Sequence, residues 1–306
     1  MQHTMRKIIS YTLSFIMLLA VGHASGQGYT FKVLANKGAN KVIKSGSKQE
    51  TALKTGATLG TGDMLVTSAG TYVGLMHKSG KTIEIRKVGT FAVTDLEKKV
   101  KTGSSSVASR YGNWVLSKLE DKKSGNYRSR LKATGAVSRA IGDGSIDVMI
   151  PEGSKIIGDK MAIVWEEESK ETTWVVTIRN LYDDVIFEKE TKQTKILVDL
   201  SVDDLADAEI YLITVKDKNN PNSISHQKDI ERVTDGELLA LVNAFKAEVA
   251  DDSPLSKLIY ASFYEENGLL LDAMTKYEEA IAMSPDVPDF KEIYDLFLLM
   301  NGLTVE

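Results

Sequence analysis

The chain contains no cysteine, so it can form no disulfide, thiolate nucleophile, lipidated thiol or cysteine-based zinc site. Histidine is nearly as scarce: of four in 306 residues, His3 and His23 lie near the N-terminus, leaving only His77 and His226 beyond it. Cys–His nucleophilic chemistry and zinc chemistry therefore lack their usual side chains. Serine is common, but no Gly-x-Ser-x-Gly elbow or Ser-x-x-Lys arrangement stands in a suitable setting. His77, beside Lys78, Ser79 and Gly80, is expected to point to solvent. Acidic clusters are present, yet residues 143–147 lack the ordered oxygen ligands and closing glutamate of an EF-hand loop. Glu166 to Glu168, and Asp203 with Asp204, fit strand ends and turns. No metal, cofactor or catalytic residue is expected, and we read the chain as non-enzymatic.

Long apolar runs are missing too, except at residues 8–21, where the run follows Arg6 and Lys7 and precedes Gly22, Ala24 and Gly26. A short positive region, an apolar core too short to span a bilayer and a small-residue exit make residues 1–27 a cleavable secretory signal, with an uncleaved anchor as the alternative. Export places the mature protein in the periplasm or outside the cell, with no transmembrane span after cleavage. The net charge of −4 hides an asymmetry. Residues 28–130 hold 19 Lys/Arg against 7 Asp/Glu, and residues 131–306 hold 17 against 35. Such a division suggests an anionic polymer, such as an acidic polysaccharide, as partner of the first half, or attraction between the halves.

Residues 28–100 read as an all-β unit. Short apolar runs at 31–34, 41–43, 72–76, 82–85 and 90–93 alternate with polar residues and are cut by glycines. Ser79, Gly80 and Lys81 make a hairpin turn. Gly56, Leu59, Gly62, Asp63, Leu65 and Thr67, followed by Gly80, Ile83 and Ile85, resemble the FecR-like domain, in which a Gly-Asp turn enters a strand and a second hairpin follows. In physical terms Asp63 can bind its own turn amides, while Leu65, Val73 and Leu75 face a small core. Relay members of that family carry a cytoplasmic segment and a membrane span ahead of this domain. Here a signal stands in that place, so the signalling role is not carried over.

Residues 101–144 form a connector. Thr102 to Ser106 has a flexible composition, and Trp114, Val115 and Leu119 fall within a helical window, predicting a short helix docked on the first β unit. A basic segment, residues 127–132, follows. Its Arg and Lys near Tyr127 evoke nucleic-acid binding, but export and the absence of any recognition motif argue for a solvated connector and no nucleic acid. In residues 145–232, strands at 146–150, 161–165, 174–178, 185–187, 195–198 and 209–215 are separated by turns at Asp183–Asp184 and 219–222. Six or seven short alternating strands, with Trp165 late on an early one, resemble an immunoglobulin or fibronectin type III-like sandwich without its disulfide.

Residues 233–306 read as helical. Thr234 and Glu237 have capping-box spacing, and Ser253 caps a helix with Pro254 in its first turn. Ala261 and Tyr264 lie on one helix, Asn267 and Gly268 form a turn, and Ala273, Tyr277 and Ala280 recur on the next helix, which Ser284 and Pro285 stop. This resembles one tetratricopeptide (TPR) repeat of about 34 residues, lacking only the large residue near its start, where Lys257 stands. One repeat cannot bury its own faces, so flanking helices or a second copy must cover them. Such modules bind proteins, and Tyr260, Phe263, Tyr264 and Tyr277 are the candidate partner-binding residues.

The expected fold class is multidomain: a small FecR-like β domain, an Ig-like β-sandwich and TPR-like helical hairpins. The expected function is a periplasmic or cell-envelope scaffold or adaptor that binds an envelope protein, with a homo-oligomer as an alternative use of the helices. A carbohydrate-binding or glycan-processing role resting on Glu166 and Glu168 is the alternative from another class. Regulation of an outer-membrane uptake system is a third.

Overall fold

The structure is a computed structural model that describes residues 28–100, 106–124, 146–151, 153–166, 172–220, 222–250 and 252–303. The signal-like residues 1–27, the basic residues 127–132, Asp143, Glu167 and Glu168 lie outside the described residues.

Period-two alternation in the first unit yields eight strands: β1 (Phe31–Lys37), β2 (Lys41–Ile43), β3 (Glu50–Ala52), β4 (Thr58–Leu59), β5 (Met64–Thr67), β6 (Tyr72–His77), β7 (Thr82–Ile85) and β8 (Gly89–Ala92). They form two four-stranded antiparallel sheets, ordered β4-β1-β6-β7 and β3-β2-β5-β8. Phe31, Val33, Leu59, Leu65, Val73 and Leu75 make up the core of the unit, as expected for Leu65, Val73 and Leu75. The unit is not all-β, because residues 93–98 form helix α1 (Val93–Lys98), whose Val93 and Leu96, three apart, both join that core. β6 is buried on both faces. Val73 and Leu75 face inward, whereas Tyr72 and Met76 belong to a second, larger core. Gly74 lets the two meet: a Cβ there would lie 2.8 Å from Leu255 Cδ2.

The connector helix α2 (Ser106–Ser124) is longer than its apolar window suggested. It does not simply rest on the first β unit. Its Asn113 accepts from Lys32 (2.7 Å) and its Gly112 lies close to Met76 of that unit, but Tyr111 turns its ring edge to Phe245 and Phe263 of the helical end.

Next come β9 (Asp147–Val148), β10 (Ser154–Ile156), β11 (Lys160–Glu166), β12 (Trp174–Arg179), β13 (Val185–Thr191), β14 (Lys195–Asp199), the short helix α3 (Asp203–Asp207), β15 (Ile210–Asp217) and β16 (Lys228–Arg232). They form a three-stranded sheet, β14-β11-β9, and a five-stranded sheet, β10-β16-β15-β12-β13. After Pro151 the chain crosses between the sheets at Gly153 (φ +67°), and β10 runs parallel to β16 while the other pairings are antiparallel. Trp165 and Trp174 meet edge to face at 6.1 Å inside. Tyr211 donates its hydroxyl to the Leu205 carbonyl six residues back (2.9 Å), fastening the crossing segment to β15.

The helical end comprises α4 (Gly236–Glu248), α5 (Pro254–Glu266), α6 (Leu270–Met283) and α7 (Pro288–Met300). Ser253 caps α5, accepting from the Ser256 amide (3.1 Å) with Pro254 in the first turn. The expected box at Thr234 does not form: Asp235 is the N-cap residue and makes no side-chain cap, because Gly236 enters at φ +86°. α5 and α6 pair across Ala261, Ala273 and Ala280, all fully buried. α2, α4 and α7 cover the rest, so one core runs from Leu34 and Tyr72 through Val115 and Trp165 to Phe297.

Candidate functional site

Tyr260, Phe263, Tyr264 and Tyr277 do not form a partner surface, since none is more than 2% exposed. Phe263 stacks on Phe245 at 4.0 Å, Tyr277 stacks on Tyr294 at 5.7 Å, and Tyr264 packs against Phe263. Tyr260 donates to the Val249 carbonyl (2.7 Å). Phe245 of α4 and Tyr294 of α7 thus cover these faces from within the same chain.

The helical end instead grips both β units. The carboxylate of Asp272, in the first turn of α6, accepts from the amides of Ile157 (3.1 Å) and Gly158 (2.7 Å) between β10 and β11. One turn on, Thr275 Oγ1 accepts from the Ala162 amide (2.9 Å), covering an edge of β11 that β9 leaves unpaired. Burial pushes the Asp272 carboxyl up to about 6, against the two amides that favour its charge. On the other side Asp289, opening α7, accepts from the Asn36 amide (2.8 Å) and the Thr55 hydroxyl (3.0 Å). Lys37 pairs with Asp286, and Arg86 donates to Ser284 Oγ (2.7 Å) while lying over the Tyr72 ring. The basic first unit thus meets acidic residues within the same chain. Lys118 of α2 pairs with Glu265 of α5, both nearly buried, and Tyr277 donates to the other Glu265 oxygen (3.3 Å). Burial lowers the Lys118 pKa and raises that of Glu265, and their mutual attraction opposes both shifts.

His77 is buried rather than solvent-facing, with its ring edge against Phe31. Nδ1 accepts from the Ser79 amide (3.1 Å) and also meets Ser79 Oγ (2.7 Å), while Nε2 lies 3.4 Å from Glu97. A serine, an imidazole and a carboxylate in line invite a hydrolytic reading. Here the Ser79 amide shares the nitrogen that a nucleophile would need, and the Gly80 amide is bound to the His77 carbonyl. The arrangement closes a turn. Asp63 braces a second turn, accepting from Ser45 N, Gly60 N and Lys44 Nζ (2.9, 2.9 and 2.7 Å). Burial works against its charge, but Lys44 and the two amides outweigh that and hold its pKa below the usual carboxylate value.

Open clefts lie at the joints and at one end of the second β unit. One, of about 410 Å³, separates β11 and β14 from the end of α6 and is lined by half-exposed Leu197 and Met283 together with Lys160 and Lys195. Another, also about 410 Å³, runs between β7 and the α4–α5 link. A third, of about 560 Å³, lies between the β12–β13 hairpin and the segment around α3. Sequence reasoning missed Leu181 and Tyr182 at that hairpin tip, although an apolar pair beside an acidic turn was a readable signal. It also missed Asp272 and Asp289, which in sequence look like ordinary first-turn acids. Among the described residues no cluster of His, Asp and Glu could hold a metal, and no helix is long and apolar enough to cross a membrane.

No protein-family model matches the chain, and no curated protein matches it. Among solved structures, dimeric latent PorU from Porphyromonas gingivalis is similar over 70% of this chain, at 10% identity and a TM-score of 0.24, and the chain spans 17% of that protein's length.

Proposed function

We propose that the chain is an exported, non-enzymatic scaffold or adaptor of the cell envelope, built from a FecR-like β domain, an Ig/fibronectin III-like sandwich and a TPR-like helical hairpin. The observation that carries this reading is the helical end, whose Asp272 and Asp289 bind backbone amides of two different β units. A module that fixes two β units in one body suits a protein whose task is to present surfaces in a set geometry. The Asp63 turn supports the FecR-like reading. The parallel β10–β16 edge and the Tyr211–Leu205 bond support the sandwich reading. The close α5–α6 approach at Ala261, Ala273 and Ala280 supports the TPR-like reading.

The partner-binding role moves from the buried aromatics to exposed positions. Photocrosslinkers at Leu197, Met283 and Leu241, each roughly half exposed, test it in cells. Capture of one envelope protein in stoichiometric yield is the expected outcome. A folded protein that captures nothing from any of the three positions overturns the scaffold reading.

A further inference from the structure

The hairpin between β12 and β13 holds apolar side chains out into solvent. Tyr182 is 84% exposed, Leu181 63% and Val185 49%. Its tip is firmly built. Asn180 Oδ1 accepts from the amides of Tyr182 (2.9 Å) and Asp184 (3.0 Å), the Asn180 amide bonds the Asp184 carbonyl (3.0 Å), and Arg179 meets Asp183 at 3.6 Å. Apolar groups set out on a braced loop have no stabilising role in the fold that displays them, and such patches mark interaction surfaces.

The cleft beside them gives the chemistry of the partner. Asp184, Asp204, Asp207 and Glu209 line it, and no lysine, arginine or histidine does. Arg179 and Arg232, at nearby strand ends, are paired with Asp183 and Asp159. Among the described residues Asp204, Asp207 and Glu209 have no ion-pair partner. Four carboxylates on concave walls focus a negative potential that repels anionic ligands and anionic membrane surfaces and attracts cations. An exposed aromatic flanked by uncompensated charge of one sign has the composition of an interface centre with a steering rim.

We propose that this end of the sandwich docks a cationic segment of another protein, with an apolar side chain of that segment seated on Leu181, Tyr182 and Val185 and its lysines or arginines on the four carboxylates. The proposal rests on the scaffold reading and adds a further partner surface to those probed at Leu197, Met283 and Leu241. A second copy of the chain is the competing occupant, and sedimentation separates it from another protein.

The test uses the purified chain and a short synthetic peptide alternating lysine with leucine, with its glutamate-for-lysine counterpart as control, followed by fluorescence anisotropy at low and high salt. The lysine peptide is expected to bind and the glutamate peptide not. Tyr182→Ala, at a position too exposed to affect folding, should weaken binding about tenfold, the loss of one interface anchor. Neutralising Asp204, Asp207 and Glu209 together (to Asn, Asn and Gln) should flatten the salt dependence, while Val88→Ala, exposed on the first β unit, should change nothing. Equal binding of both peptides, or an affinity indifferent to Tyr182→Ala, overturns the proposal. So does concentration-dependent sedimentation that disappears in Tyr182→Ala, which would give the tip to a second copy. None of these failures touches the scaffold test, whose crosslinking positions lie elsewhere.

Discussion

Asp272 holds a carboxylate where water does not reach, between a helix N-terminus and two amides of a neighbouring unit. Burial raises its pKa from the ordinary 3.8 to about 6, although the amides, Lys246 and Lys276 all favour the charged form. Between those two values the unfolded chain has released a proton that the folded chain still holds. The contribution of Asp272 to stability is therefore greatest below about pH 4 and falls as the pH rises toward 6, by on the order of 3 kcal/mol, and is flat above that window. Urea midpoints across pH 3.5 to 7 should show the slope in the native protein, and Asp272→Asn should remove it. A slope that survives in the variant would assign it to other groups. Gly158 completes the site, because a Cβ there would lie 2.7 Å from Asp272 Oδ1.

At the scale of elements, α2 ties the α5–α6 hairpin to the rest of the chain. Its Tyr111, Val115 and Leu116 supply apolar surface to the core that the hairpin belongs to. Lys118 fixes its register against α5 through Glu265, with the ammonium also 3.9 Å from the Trp114 ring centroid. Losing one member of a buried pair leaves the other charge stranded, so Lys118→Met or Glu265→Gln alone should each cost about 3–5 kcal/mol. The double variant, with no charge left to strand, should recover most of that loss. A double-mutant cycle by chemical denaturation checks this, and additive losses would show that the two side chains act independently. The helical window in the connector was legible from Trp114, Val115 and Leu119. Its docking site was not, because the residues that receive it, Phe245, Phe263 and Glu265, lie more than a hundred positions away.

For the whole molecule, the continuous core joins units that the sequence presents as separate beads. Leu255 of α5 is fully buried against Gly74 of the first β unit and lies in the same core as Trp165 of the second. Leu255→Ala should cost about 2–5 kcal/mol. It should lower one common thermal transition and speed amide exchange in β6 and β12 together. Two transitions by calorimetry, of which only one moves, would mean that the units unfold independently.

The sequence alone determined the local matters. Alternation set the strands, Gly62, Gly80 and Gly268 set turns, and Ser253 with Pro254 started a helix, because each depends on neighbours within a few residues. It also set the absence of thiol chemistry and the division of charge. It did not reveal β10 or α1, each a few residues long and held by distant partners. Only the tertiary structure decided which aromatics are interior. Tyr260 and Tyr182 are alike as letters, but one is covered by α4 and α6 and the other stands exposed on the β12–β13 hairpin. Exposure is a property of the assembled surface, and periodicity along one helix cannot say what packs against it.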